Sequence, residues 1–289
     1  MSLMDWVVFG QQMWNGLANG VAYVIFALGL TLIFGVLKVT NIAHGEFFML
    51  GAMILVSLQQ LLGLHFFIAL ILSALVVSVL GFVSNRIAVR PLLAASPLST
   101  LLSTLAVSYI LLNASILVWP FPKNVHPPVS GTLDLWGVRI TGASLVTFGL
   151  GAIVIAGLYV FLSRVKMGKE IDATSQNMVG ASLTGINVKK VYDLTFVIAA
   201  ALAAIGGGLV APLWQANTSM GQYVLLKGFA IVVVAGMGNV LGCLWVGLLA
   251  GIAEALFGQY VAMYYKEGFL FGVMIISLLI KPEGLFTRR

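Results

Sequence analysis

The chain has 289 residues, of which 61% are hydrophobic and only 8% charged, with a formal net charge of +6. So few charges cannot cover the surface of a soluble protein, and continuous apolar runs of about 20 residues exclude a β-barrel, whose strands alternate over about 10. In that setting the positive balance belongs to basic loops that fix membrane orientation, which excludes nucleic acid as a partner and leaves an all-α integral membrane protein in contact with lipid.

The N-terminal residues Met1 to Phe9 carry no basic side chain, so they lack the start of a signal peptide and the first span is expected to be retained. Span 1 runs from about Trp14 to Leu37 and carries Gly16, Gly20, Gly29 and Gly35, small residues that let helices approach. A polar break, Lys38 to Glu46, leads to span 2 (about Phe47 to Leu62), span 3 (Phe66 to Ala88) and span 4 (about Leu98 to Trp119). The stretch 120–142 holds four prolines, and the alternation on either side of Gly137 predicts a small hairpin at about 130–141.

Span 5 covers about Ala143 to Ser163, span 6 Val191 to about Leu213, and two further spans about Val240 to Tyr260 and Phe269 to Ile280. Between them Tyr223 to Ala235 is short. At 1.5 Å per residue it reaches roughly 20 Å against a hydrocarbon core of about 30 Å, which suits a broken or re-entrant helix. The expected total is eight to nine transmembrane or re-entrant helices. Helix follows helix without a soluble block, so 1–289 reads as a single transmembrane domain.

The longest polar run lies at 164–190, between spans 5 and 6, and holds five of the fifteen Lys/Arg residues. With this loop in the cytoplasm, eleven basic residues fall on the cytoplasmic side (Arg288 and Arg289 among them) and four outside, which predicts an outer N-terminus and a cytoplasmic C-terminus. Within the loop, Asp172 to Gly185 reads as one short helix, capped by Asp172 or Thr174 and ended by Gly185. Val179, Leu183 and Ile186 form an apolar stripe with Met178 beside it, and Ser175, Gln176 and Ser182 form a small polar face. A helix lying on the membrane usually carries bulkier apolar residues, so this one reads as a docking helix for a cytoplasmic partner.

No phosphate-binding P-loop, His-Glu-x-x-His or Gly-x-Ser-x-Gly motif occurs, and His44, His65 and His126 lack metal-ligand spacing. Cys243 is the single cysteine. The chain is therefore expected to be no enzyme, with no catalytic residues and no cofactor or metal of its own.

Two polar interruptions are candidates for a translocation path. The first is Asn41-Ile-Ala-His44-Gly-Glu46, where a capped cytoplasmic turn and a path-lining helix break both fit. The second is the glycine-rich pair Gly206-Gly207-Gly208 and Gly236-Met237-Gly238-Asn239, where close helix packing and the exposed backbone of a discontinuous helix both fit. Glu254 and Lys227 are the most deeply placed charges of the later spans. Asp193 reads as a cap or a partner of Lys189 or Lys190.

Several stretches resemble the permease subunits of branched-chain amino acid ABC transporters. They are Asn19-Gly-Val-Ala-Tyr-Val, Ala27 to Leu37, Asn41 to Ala52, Gly168, Gln176-Asn177, Ala181, Leu183, Gly185-Ile186, Met220-Gly221, Lys227-Gly-Phe229, Gly236-Met-Gly-Asn239, Gly242 and Lys281-Pro-Glu-Gly-Leu-Phe286, in family order over nearly the whole chain. The resemblance implies an ABC importer permease fold in a bacterial inner membrane. It also implies a second homologous permease, two cytoplasmic ATPases that bind ATP-Mg, and an extracytoplasmic solute-binding protein. Asp172, Thr174, Gln176, Met178, Val179, Ala181, Leu183, Gly185 and Ile186 would then form the coupling helix for the ATPases. The cargo would be a branched-chain amino acid or a related small solute, since similar permeases move urea, amides, and aromatic or dicarboxylic acids. The rival reading is an ion-coupled secondary transporter or channel, which needs paired charges within the spans.

Overall fold

The computed structural model describes residues 3–93 and 95–286, without the side chains of Leu3, Met4 and Glu267. Arg288 and Arg289, counted in the charge balance, lie outside the described residues.

The chain forms α1 (Leu3–Leu37), α2 (His44–Leu62), α3 (Phe66–Ser84), α4 (Pro97–Val118), the strands β1 (Thr132–Leu135) and β2 (Val138–Thr141), α5 (Gly142–Arg164), α6 (Lys166–Gln176), α7 (Met178–Leu183), α8 (Val188–Trp214), α9 (Met220–Ala235), α10 (Val240–Tyr260) and α11 (Lys266–Ile280). Seven of these are long and apolar enough to cross a membrane, and α9 and the 268–280 part of α11 are shorter apolar helices. The protein is an all-α membrane fold. A hairpin pairs Thr132 with Thr141 and Leu135 with Val138 in antiparallel register, where the alternation predicted it.

Most predicted spans fall within a few residues of their helices; the exception is α1, which starts at Leu3 rather than Trp14. Side-chain caps mark the starts of α4 and α5. Oγ of Ser96 accepts from Ser99 N–H with Pro97 at the first helical position, and Oγ1 of Thr141 accepts from Ser144 N–H. α3 does not end at a plain turn. It widens into a π-helical stretch, Asn85–Val89, and a 3₁₀ turn, Arg90–Leu92.

α1 is the central post. Gly16 and Gly20 face Gly247 and Gly251 of α10 so closely that a Cβ on Gly251 would overlap the carbonyl oxygen of Gly16. Lipid gives no hydrophobic drive between helices, so such close packing holds them together. α2 and α8 complete the buried centre, while most of the surface of α4 and α5 is left uncovered.

The helices define two poles. At the hairpin pole, near the start of α1, Gln11 donates to the carbonyl of Arg139 (3.0 Å) and accepts from its N–H (2.8 Å). The end of α8 is there too, with Ala216 bonded to Lys123 on both sides of an isolated bridge (2.8 and 3.1 Å). At the opposite pole lie α6 and α7, the end of α9 and the chain as far as Phe286. There Gly35 sits against Gly238 and Ser175.

Candidate translocation and coupling sites

The chain reverses after α1 through Lys38–Ala43, but α2 does not start where α1 stops. An imidazole nitrogen of His44, Nε2, lies 3.2 Å from the carbonyl oxygen of Phe26, which is roughly 16 Å back along α1 at 1.5 Å per residue. The six-residue link, which ends in a turn at Ile42 and Ala43, carries the chain back inside. The start of α9 meets it there: a Cβ on Gly45 would lie 2.6 Å from the carbonyl oxygen of Gly221. Sixteen residues make α9 about 24 Å long, short of the roughly 30 Å core. Two helix starts therefore abut within the bundle.

Around this junction the polar side chains aim at different neighbours. His44 faces α1, and Ser108 on α4 donates to Oε1 of Glu46 (3.0 Å). Asn41 is buried as well. Nδ2 of Asn41, Nδ1 of His44 and Oε2 of Glu46 are buried and have no hydrogen-bond partner among the described residues. Trp119 Nε1 donates to Ser57 Oγ (2.8 Å) farther along the α2–α4 contact.

The two glycine-rich stretches differ. α8 runs unbroken through Gly206-Gly207-Gly208, so of the two readings close helix packing holds here. A Cβ on Gly207 would overlap the carbonyl oxygen of Phe48, and one on Gly208 would overlap Leu70. The second stretch is a true break. α9 ends at Ala235, Gly236 and Gly238 take φ of 94° and 91°, and Oδ1 of Asn239 accepts from Gly242 N–H (2.9 Å) to start α10. Asn239 also donates to the carbonyl of Phe286 (2.8 Å). Gly207 thus lies at the α2 junction, while Gly238 and Asn239 lie at the far pole.

The predicted helix over Asp172–Gly185 is two helices. Asn177 breaks it with φ −153° and ψ 100°, and its Oδ1 accepts from Gly180 N–H (2.9 Å), so Asn177 rather than Asp172 or Thr174 is the cap. Asp172 stands inside α6, where it accepts from Gln176 (3.0 Å). Thr174 is buried, its hydroxyl returned to the carbonyl of Glu170 (2.7 Å). Gly185 ends α7 at φ 87°, with Ile186 N–H bonded to the carbonyl of Ala181 (3.1 Å). Ala181 is buried and Ile186 packs against the core, while Met178, Val179 and Leu183 are exposed. α7 therefore presents a short apolar face outward. Asp193 pairs with Arg90 (3.3 Å) and Arg86 (3.5 Å) and accepts from Asn85 (2.7 Å), not with Lys189 or Lys190.

The sequence left open whether Lys227 and Glu254 meet. They do: Lys227 Nζ donates to Glu254 Oε1 (2.7 Å) and to the hydroxyl of Tyr23 (3.2 Å), which itself donates to Glu254 Oε2 (2.9 Å). Each is the single charge in the sequence of its helix, and that solitary charge was the one readable signal. Tyr23 gave none. All three line a polar hollow of about 330 Å³ at the hairpin pole, and Glu254 also lines a neighbouring one of about 410 Å³. None of Asn41, His44, Glu46, Gly207, Gly238 and Asn239 lines either hollow.

The profile of the family described as the permease component of the branched-chain amino acid transport system matches residues 12–278. The chain belongs to this family. It is 33% identical to the high-affinity branched-chain amino acid transport permease protein BraD of Pseudomonas aeruginosa, over 96% of this chain and 95% of the relative. The corresponding protein LivH of Escherichia coli K12 is 32% identical over 98% and 97%. Among solved structures, PsaBC from Streptococcus pneumoniae in complex with Fab superposes with a TM-score of 0.51 at 16% identity, covering 93% of this chain and 91% of that one. That likeness concerns the fold. A chain of this family with these apolar helices is a multi-pass membrane protein and a transport permease subunit.

Proposed function

We propose that the chain is the membrane-spanning permease subunit of an ATP-driven importer of branched-chain amino acids in a bacterial inner membrane. One permease domain spans it, with 164–190 as the cytoplasmic coupling loop, 120–142 outside, the N-terminus outside and the C-terminus in the cytoplasm. The observation that carries the reading is α7. Met178, Val179 and Leu183 stand exposed on a short helix whose other side is pinned by Ala181 and Ile186. A rigid apolar knob at a pole, on a chain without a P-loop, is what a separate motor protein needs to grip.

In this reading two cytoplasmic ATPases bind ATP-Mg and push through α6–α7, and a second homologous permease covers part of the bundle's bare outer faces. An extracytoplasmic binding protein delivers the solute at the hairpin pole. Opening and closing runs through the junction of the α2 and α9 starts, where Asn41, His44, Glu46 and Gly207 lie, and through the Gly238–Asn239 break. The names of the relatives support the cargo and the transport role.

The rival, ion-coupled reading gains one observation, since the Lys227–Glu254 pair is the kind of buried charge it requires. Reconstitution in liposomes separates the two. The import reading expects leucine uptake only with the ATPases and ATP present; uptake by the chain without them would sink it. Leu183→Asp leaves the helix core untouched and is expected to insert normally while losing ATP-driven uptake at least tenfold, read as initial transport rate. Undiminished uptake by that variant would remove α7 from the coupling role.

A further inference from the structure

We propose that the polar hollow at the hairpin pole, floored by Tyr23, Lys227 and Glu254, is a binding site for a zwitterionic α-amino acid with an aliphatic side chain. The solute's carboxylate goes to Lys227 and its ammonium to Glu254. The proposal rests on the import reading above and sharpens it by placing the recognition of cargo in this chain.

The two hollows share Asn19, Trp214, Glu254 and Lys266 and so lie side by side. Each is within the roughly 300–1,000 Å³ of small-molecule sites. Lys227, Glu254 and Lys266 are the charged groups of their linings, and the first two are almost wholly buried, with side chains 10% and 9% exposed. Burying two charges in a lipid-embedded bundle gains little for stability, because well-packed apolar residues of similar size usually serve as well or better. Charges kept at such depth beside a polar cavity mark solute paths.

The cluster also keeps bonding capacity for a ligand. An ammonium carries three hydrogens, and Lys227 uses two of them on Glu254 and Tyr23. The carboxylate of Glu254 accepts from Lys227 and Tyr23, which leaves about half of its acceptor positions.

Chemistry then narrows the ligand. An anion that approaches Lys227 also meets Glu254, and a cation that approaches Glu254 also meets Lys227. Only a solute carrying both charges gains at both ends. Lys266, lining both hollows, adds a cation that draws a carboxylate inward. Trp214, Met220 and Val224 beside the pair offer apolar surface to an aliphatic side chain.

The test uses the full-length chain in lipid nanodiscs and labelled L-leucine in equilibrium dialysis. Unlabelled L-leucine should displace the label at least tenfold more effectively than 4-methylpentanoate or 3-methylbutylamine, which each keep one charge. Equal displacement by either would overturn the zwitterion assignment, and this arm needs no variant. The charge-exchanged variant Lys227→Glu/Glu254→Lys keeps an ion pair for the fold but reverses its polarity, and should bind leucine at least tenfold more weakly. The charge-free variant Lys227→Met/Glu254→Gln should do the same. Wild-type affinity in either well-inserted variant means the pair is structural and refutes the site. An assembled wild-type transporter that imports leucine, together with a charge-free variant that imports it equally well, would reject this site and leave the import reading standing. A wild-type transporter that moves no amino acid would reject the import reading itself.

Discussion

Gly206-Gly207-Gly208 and Gly236-Met237-Gly238 look alike as strings, and the fold uses them in opposite ways. The first lies inside the unbroken α8 and is the place where α2 and α3 press in; its glycines are there for what they lack, since a Cβ on Gly207 would strike Phe48 and one on Gly208 would strike Leu70. The second ends a helix. Its glycines are there for the backbone they permit, with φ of 94° and 91°, and an asparagine follows to open the next helix. The flanks decide between the two roles. Ala, Leu and Ile before Gly206 favour the helix and carry it through, whereas a cap residue directly after Gly238 supplies a new start. A glycine pair in a membrane helix is thus no sign of a broken helix unless a capping side chain follows it.

The largest effect that distinguishes the two stretches is expected at Gly207. Gly207→Val places a branched side chain against the main chain of Phe48, so α2 and α8 have to separate along their contact. The cost is about 3 kcal/mol or more, seen as a lost melting transition and a poor yield of monodisperse protein in detergent. If the stretch only lined a path, the same variant would melt normally and transport poorly. Gly238→Ala comes next. Its added Cβ meets only the Cα of Gly35, at 3.5 Å, so sterics are mild and the loss comes from the left-handed backbone, about 1–2 kcal/mol. A melting temperature equal to wild type would mean that the break does not depend on that backbone geometry.

Much of the architecture was legible because lipid imposes a crude rule. An uninterrupted apolar run of about 20 residues has to be a helix, and α10 was read to its residue limits, Val240 and Tyr260. The hairpin was legible from alternation. What the sequence hid was placement between distant segments. Asp193 has Lys189 and Lys190 as helical neighbours, and a local partner was the natural reading; only the packing of α3 on α8 brings Arg86 and Arg90 to it. The meeting of Lys227 with Glu254 and Tyr23 likewise depends on α9 and α10 packing on α1. Asn177 was hidden for another reason. The residues around it are compatible with one continuous helix, and the break depends on its amide capping Gly180 instead of pointing to water.

The smallest effect is expected at Asn239, and it resolves the break into its two parts. The side chain does two jobs: Oδ1 accepts from Gly242 N–H (2.9 Å), and Nδ2 donates to the carbonyl of Phe286 (2.8 Å). Asn239→Ala removes both and should cost about 1 kcal/mol through the lost cap. Asn239→Asp keeps an acceptor for Gly242 and adds a negative charge at a helix start, a gain of about 0.3–1 kcal/mol, but it has no hydrogen to give Phe286. Thermal stability should therefore fall for Asn239→Ala and stay near wild type for Asn239→Asp. Amide exchange at Leu285, whose N–H is bonded to the carbonyl of Val234 (2.9 Å), should rise in both. If exchange there rises only in the alanine variant, the terminal segment is held by the start of α10 as a whole and not by the amide of Asn239. The break would then act as one cooperative unit, unlike the glycine contact in α8, where each Cβ has its own obstacle.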